Sequence, residues 1–272
     1  MRWAVVGHVE WVAFYAVDGP VRPGAILHAP PPWEEPAGGG GVAAAELARL
    51  GGACTLFTGV GSDARGQGLA AAMAPLGVSV DATVEPGLHR RALTLVAPDG
   101  ERSIVVVGDA QARQGLARAD LAGFDGVYFC KGDADALRAA RAARVLVVTA
   151  RVLPVAQEAG VVIDALVGSA VDPSERYEPG DLQPPPRLVM RTEGAQGGRW
   201  WSEEGEWGRW GPAPCPEAAG HAYGCGDRFA AGLTHALASG LGAAEACAQA
   251  AHSGAYALGL QGAHGGKASM VG

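Results

Sequence analysis

Gly224-Cys225-Gly226-Asp227-Arg228-Phe229-Ala230, with its apolar spacing continued by Leu233 and Leu237, is the stretch that decides how this chain is read. Two glycines permit a tight turn, and the periodic run after them starts a helix whose first N–H groups have no partner within it. Such a helix start attracts anions, and here a single carboxylate stands at its mouth. A hole for negative charge beside a general base is what a transferring phosphoryl group and an attacking hydroxyl require.

Upstream, strand-like and helix-like runs alternate. Trp3-Ala4-Val5-Val6 stops at Gly7-His8 as a buried strand would. Residues 10–30, broken by Gly19-Pro20 and Pro23-Gly24, predict short strands that leave the main sheet. Pro30, Pro31, Pro32 and Pro36 keep the next stretch extended, and a helix is expected over 42–50, between the glycines 38–41 and Gly51-Gly52. A strand at 54–58 and a helix over about 64–76 continue the βαβ rhythm. Runs 91–97 and 103–107 flank the turn Pro98-Asp99-Gly100-Glu101 and predict a hairpin apart from the main sheet, part of a lid. Apolar runs at 127–129, 145–148 and 161–163 alternate with helices at 134–143 and 153–159, which indicates parallel strands covered on both faces. A strand at 188–191, a tryptophan hairpin around Trp200, Trp201, Trp207 and Trp210, and helices at 226–239 and 243–258 complete the chain. The expected fold is α/β, a three-layer sandwich with a mostly parallel central sheet and a small β lid. It forms one domain over 1–272, with lid strands from about 10–30 and 90–108.

Composition narrows the function classes. At 272 residues, 49% hydrophobic and 18% charged, the chain can bury one large core. Its net charge is −7 and its 21 basic residues form no cluster, which argues against a duplex nucleic-acid surface. Five scattered cysteines without a CxxC pair read as reduced thiols. Neither a signal peptide nor an apolar run of about eighteen residues is visible, so a cytoplasmic protein without membrane attachment is expected. The histidines show no metal-ligand spacing, and the tryptophan hairpin reads as packing rather than a ligand cage.

Gly39-Gly40-Gly41-Val42-Ala43-Ala44 matches the letters of a dinucleotide-binding fingerprint, with Asp63 downstream. That fingerprint needs a strand feeding its first glycine, and the prolines of 30–36 occupy that place, so an NAD-dependent enzyme is the weaker reading. Gly38 to Gly41 before a helix, Ala48-Arg49-Leu50-Gly51 and Phe57-Thr58-Gly59-Val60-Gly61-Ser62-Asp63 with Gly66 and Leu69 together resemble the N-terminal signature of the ribokinase-like (PfkB) carbohydrate kinases. Tyr223-Gly224-Cys225-Gly226-Asp227 through Gly232 resembles the C-terminal signature. Between them, Thr192-Glu193-Gly194-Ala195-Gln196-Gly197 is similar to the family's T-x-G-x-x-G turn and Gly100-Glu101-Arg102 to its lid hairpin.

The resemblance implies an ATP-dependent phosphotransferase acting on a hydroxyl of a small sugar or sugar-like molecule. In that role Asp227 is the base, and Gly224, Cys225 and Gly226 form the anion hole. Thr192, Gly194, Gly197, Gly262 and Ala263 would border the nucleotide. Glu10, Gly38, Gly39, Gly40, Gly41 and Arg91 would meet the substrate. Mg2+ on the phosphates is implied, with Asp172 and Glu175 the nearest match to the family's N-x-x-E segment, and a monovalent cation is a further candidate. A homodimer through the lid edges is the candidate assembly.

The departures are equally specific. Val12 stands where the family places a sugar-binding Asp, with Glu10 as the available substitute. Val42 replaces an Asn, and His221-Ala222 replaces a polar pair before the anion hole. These changes point to a less hydroxylated or differently decorated acceptor alcohol. The alternative is a nucleotide- or ligand-binding protein that keeps the kinase fold without turnover. Cys225, at a helix start, could be an activated thiolate, but with no His or Asn placed to serve it the residue reads as a small stand-in for alanine.

Overall fold

The computed structural model describes residues 1–108, 121–215 and 220–265. Two sheets organise them. The larger has nine strands in the order β13-β12-β11-β10-β9-β8-β1-β4-β5, and the smaller four in the order β3-β2-β6-β7. In the large sheet β1 (Arg2–Val6), β4 (Ala53–Gly61), β5 (Val78–Glu85), β8 (Gly126–Phe129), β9 (Val145–Thr149), β10 (Ala165–Ser169) and β11 (Leu188–Thr192) run parallel. The hairpin of β12 (Gly198–Ser202) and β13 (Trp207–Trp210) adds two antiparallel strands at one edge.

Alternation along β1 explains the layering. Trp3 and Val5 point into a core shared with α1 (Gly38–Leu50), α2 (Ala64–Met73), α5 (Cys225–Ala238) and α6 (Ala243–Leu258). Ala4 and Val6 point the other way, toward α3 (Ala134–Ala140) and α4 (Leu153–Ala159). A parallel strand buried on both faces has no polar side, and that is why the runs at 145–148 and 127–129 are continuously apolar. The expected three-layer sandwich is the observed one.

The small sheet is formed by β2 (Glu10–Ala16), β3 (Trp33–Ala37), β6 (Arg91–Val96) and β7 (Arg102–Val107). Its second strand corrects the expectation of lid strands throughout 10–30, because residues 17–32 contain none and the proline-bearing segment pairs instead. Pro36 is tolerated since β3 is the sheet's edge and one of its N–H rows needs no partner. At the other edge β7 leaves Ile104, Val105 and Val106 exposed.

Three further elements depart from expectation. The apolar run 161–163 is not a strand. It lifts the chain from the left-handed Gly160 cap of α4 to the sheet, and the Asp164 carboxylate accepts the Leu146 N–H (2.8 Å) before true pairing starts at Ala165. β5 lies outside the expected set because its alternating Val78-Ser79-Val80-Asp81 pattern is that of a half-solvated edge. α1 begins at Gly38 rather than 42, so all four glycines belong to its first turn and are buried. Against the expectation from the prolines of 30–36, a strand does feed this turn, but it is β3, which belongs to the small sheet and runs antiparallel to β2. The βαβ context of a dinucleotide fingerprint is therefore not met.

α1 and α5 are tied by a buried ion pair between Glu46 and Arg228, 0% and 3% exposed. Arg49 also pairs with Glu46 (2.6 Å), and Arg228 donates to the Ala263 carbonyl (2.8 Å). Removing one partner of such a pair strands the other charge in the core, a cost of about 3–5 kcal/mol. Glu46→Ala should therefore lower stability to urea by about that amount, and the paired change Glu46→Leu with Arg228→Met should recover most of it. Measured midpoints at neutral pH that leave Glu46→Ala within about 1 kcal/mol of the parent would show the pair to be inconsequential.

Candidate active site

The C-terminal ends of the parallel strands form the rim where ligands of open α/β sheets collect. Two helix N-termini meet at this rim. α5 starts after Gly224, which adopts φ +75° and leaves no room for a side chain, since a Cβ there would lie 2.9 Å from Val42 Cγ1. α1 starts beside it, and a Cβ on Gly39 would lie 2.8 Å from Asp227 Oδ1 and 3.3 Å from His8 Cε1. The Asp227 carboxylate thus lies against the first turn of α1 while standing in the first turn of α5. Both dipoles present their positive ends to it.

The chain has already used most of the α1 amides. Gly38 N–H donates to the Tyr223 hydroxyl (3.1 Å), Gly39 N–H to His8 Nε2 (3.3 Å) and Gly40 N–H to the His8 carbonyl (2.9 Å). Gly40 is glycine because a Cβ would come within 2.6 Å of that carbonyl. The run at 38–41 is therefore a helix-to-strand packing device first, with Gly38 and Gly39 also bordering the site. At α5 the Cys225 N–H reaches back to the Ala222 carbonyl (3.4 Å), while Gly226 has open space at its Cα. Helix geometry leaves the next amides, of Gly226 and Asp227, facing outward for an anion.

Burial, followed by the charge of Glu175, pushes the Asp227 carboxyl up to about 6, while Arg151, Arg102 and Arg228 work in the opposite direction. His8 is pushed down to about 3, chiefly by burial and then by Arg90, Lys131 and Arg151, so it is neutral and accepts from Gly39. Burial pushes the Cys225 thiol up to about 11, which fits a packing residue rather than an activated thiolate. Five cysteines, Cys54, Cys130, Cys215, Cys225 and Cys247, are free.

Other expected site residues fall into separate groups. Glu10 is 5% exposed, pairs with Arg90 (2.9 Å) and has its acid raised by burial against the pull of that arginine. Its Cγ lies near Gly38. Arg91, next along the chain, pairs in register with Trp11 and so faces away from Glu10 across the pleat. Val12 and Val42 are sealed with Phe14, Trp33, Ala37, Ala92, Tyr223 and Ala263 in an apolar cluster beneath the small sheet. Phe14 stacks between Trp33 (5.4 Å) and His221 (5.8 Å).

Gly262 and Ala263 belong to the seam between this sheet and the chain's end. Gly262 N–H donates to His221 Nε2 (3.1 Å), Ala263 N–H donates to the Glu35 carboxylate, and the Ala263 carbonyl accepts from Arg228. Thr192, Gly194 and Gly197 shape the turn after β11, where a cavity of about 410 Å³ is lined by Ala170, Val171, Glu193, Gln196, Arg199 and Arg209. Glu193 holds both arginines, each at 2.6 Å. Asp172 and Glu175 do come together, but around Arg151, which donates to Asp172 (2.9 Å) and to Glu175 (3.1 Å from Nε).

A family model for pfkB family carbohydrate kinases matches residues 2–174, more than half of the chain. The chain belongs to that family. No curated protein matches the sequence. Among solved structures, the chain is similar to a microbiome-derived acarbose kinase (23% identity, TM-score 0.78, covering 97% of this chain and 94% of that one). It is also similar to a ribokinase from Cryptococcus neoformans in complex with ADP (20%, 0.76, 97% and 95%). A third is a nucleoside kinase from Burkholderia thailandensis in complex with inosine (17%, 0.74, 97% and 93%). At these identities the likeness establishes the ribokinase-like fold. Among the described residues no helix is long and apolar enough to cross a membrane.

Several members of the site carry no motif. His8 and Arg151 each follow the last residues of a parallel strand, which is the signal that could have marked them. Glu46 and Arg228 stand out only as single charges on otherwise apolar helix faces.

A carboxyl whose native pKa exceeds its unfolded value binds its proton more tightly when folded. Its contribution is favourable at low pH and is lost as pH rises through the native value. Asp227→Asn should therefore stabilise the protein at about pH 7.5, by on the order of 2 kcal/mol, with the gain shrinking below about pH 6 and vanishing near pH 4. Melting curves of the two proteins that coincide across that range would show that the carboxylate is not held at a cost.

Proposed function

We propose that the protein transfers the γ-phosphoryl group of ATP to a hydroxyl of a small sugar or sugar-like molecule. The observation that carries this reading is the position of Asp227, a carboxylate raised to about 6 at the junction of two helix N-termini. In the step, the acceptor oxygen bonds to the γ-phosphorus as its proton passes to Asp227. The bond from that phosphorus to the bridging oxygen breaks, and its electron pair leaves with ADP. The backbone of Gly224, Cys225 and Gly226 shapes the turn whose outward amides meet the charge on the transferring oxygens. A base tuned near 6 is deprotonated at neutral pH yet basic enough to take the proton as the bond forms.

ATP would lie with its base toward the cavity beside Thr192, Gly194 and Gly197. Glu10 and Arg90 are the polar groups left for the acceptor, since Val12 and Val42 are closed off. The carboxylates of Asp172 and Glu175 do not fit a protein-held Mg2+. Both are engaged by Arg151, Asp172 also accepts from Ser174, and no group of three or more His, Cys, Asp or Glu converges among the described residues. The sealed cluster around Val12 and Val42 is the observation that favours the second reading, a kinase-fold protein that binds its ligands without turnover.

ATP consumption across a panel of sugars, nucleosides and polyols separates the two. The parent should turn over at least one acceptor, and Asp227→Asn should lose roughly 10²–10⁴-fold in kcat with little change in nucleotide affinity. The parent's kcat should rise with pH along an acid limb near 6, because only the deprotonated base acts. ATP binding without transfer to any acceptor would leave the binding reading in place, and equal kcat in both proteins would remove Asp227 from the chemistry.

A further inference from the structure

Arg151 occupies the place where the sequence offers a pair of metal-binding carboxylates. It sits in the short turn that follows β9, and its guanidinium lies between Asp172 and Glu175, the first and last residues of the turn after β10. The two turns pack closely, for a Cβ on Gly168 would meet the Glu175 carbonyl at 2.5 Å and Ala150 Cβ at 3.4 Å. Ser174 fixes Asp172 from the other side through its N–H (2.9 Å) and hydroxyl (2.7 Å). The guanidinium is thus oriented by two carboxylates, and with 55% of its side chain exposed it remains accessible. Arg151 stands two residues past the end of β9, and α5, whose first turn carries Asp227, packs against β8 and β9, so both groups belong to the same rim of the sheet.

We propose that Arg151, oriented by Asp172 and Glu175, contacts the γ-phosphoryl group directly and supplies the positive charge for which this pair of carboxylates would otherwise recruit a divalent cation. The two carboxylates take Nε–H and both Nη2 hydrogens, so the two Nη1 N–H groups are the donors left to meet phosphoryl oxygens. The proposal rests on the phosphotransfer reading. It adds that the charge at this point is built into the chain.

The test compares the parent with Arg151→Ala and Arg151→Lys, each first checked for an unchanged melting temperature. Nucleotide-free protein is titrated with Mn2+ and followed by electron paramagnetic resonance, and ATP and ADP affinities are measured by calorimetry in the presence of a chelator. The parent should leave Mn2+ free, whereas Arg151→Ala should bind it at least about tenfold more tightly by uncovering the two acids, and a further Asp172→Asn change should abolish that gain. The preference for ATP over ADP should fall about tenfold in Arg151→Ala and partly recover in Arg151→Lys, while kcat should drop about 10²–10³-fold at nearly constant acceptor KM. Parent protein that already binds Mn2+ as tightly as Arg151→Ala, or an unchanged ATP preference in that variant, would overturn the role of Arg151 and leave the kinase reading intact. A parent that binds neither nucleotide would overturn both.

Discussion

Everything at the site depends on how closely the first turns of α1 and α5 approach one another. Each turn carries glycine where a methyl group would collide, Gly39 against Asp227 and Gly224 against Val42. The approach brings two positive dipole ends to one carboxylate, and that field partly offsets the cost of burying it. Separated by one more side chain, the helices would leave Asp227 an ordinary solvated acid.

The charges behind this junction are layered by burial. Deepest are Glu46 and Arg228, which lock the two helices and reach the Ala263 carbonyl. At the rim stand the partly exposed Arg151, Asp172 and Glu175. Water weakens each rim contact, so this outer cluster adds little to stability. The inner pair has the opposite character, since no solvent is available to replace a lost partner.

The small sheet closes the site by apolar packing rather than by polar grip. Phe14 stacks between Trp33 and His221, Tyr223 meets its edge, and the Glu35 carboxylate and the Pro36 carbonyl bind the segment at 263–264. Sheet, helix start and chain end therefore form one connected seam. Glu10, buried and paired with Arg90, lies beside the start of α1.

Period and punctuation in the sequence determined the parallel sheet, its two helical covers, the hairpin of the small sheet and the glycine turn that opens α5, because each follows from local geometry. A strand buried on both faces must be apolar throughout, and a helix entered through Gly-x-Gly must leave its first amides open. Local rules also misplaced the start of α1 and the strand at 161–163. There a non-local contact prevailed: His8 caps the glycine turn, and Asp164 takes a ladder position with its side chain. Only the tertiary structure joined Arg151 to Asp172 and Glu175, Arg90 to Glu10, and Arg228 to Glu46. These partners come from different elements, and no periodicity within one element encodes which of them will face each other. The sequence by itself determined the layers and the glycine turn that opens α5, and the packing of those layers decided which charges surround it.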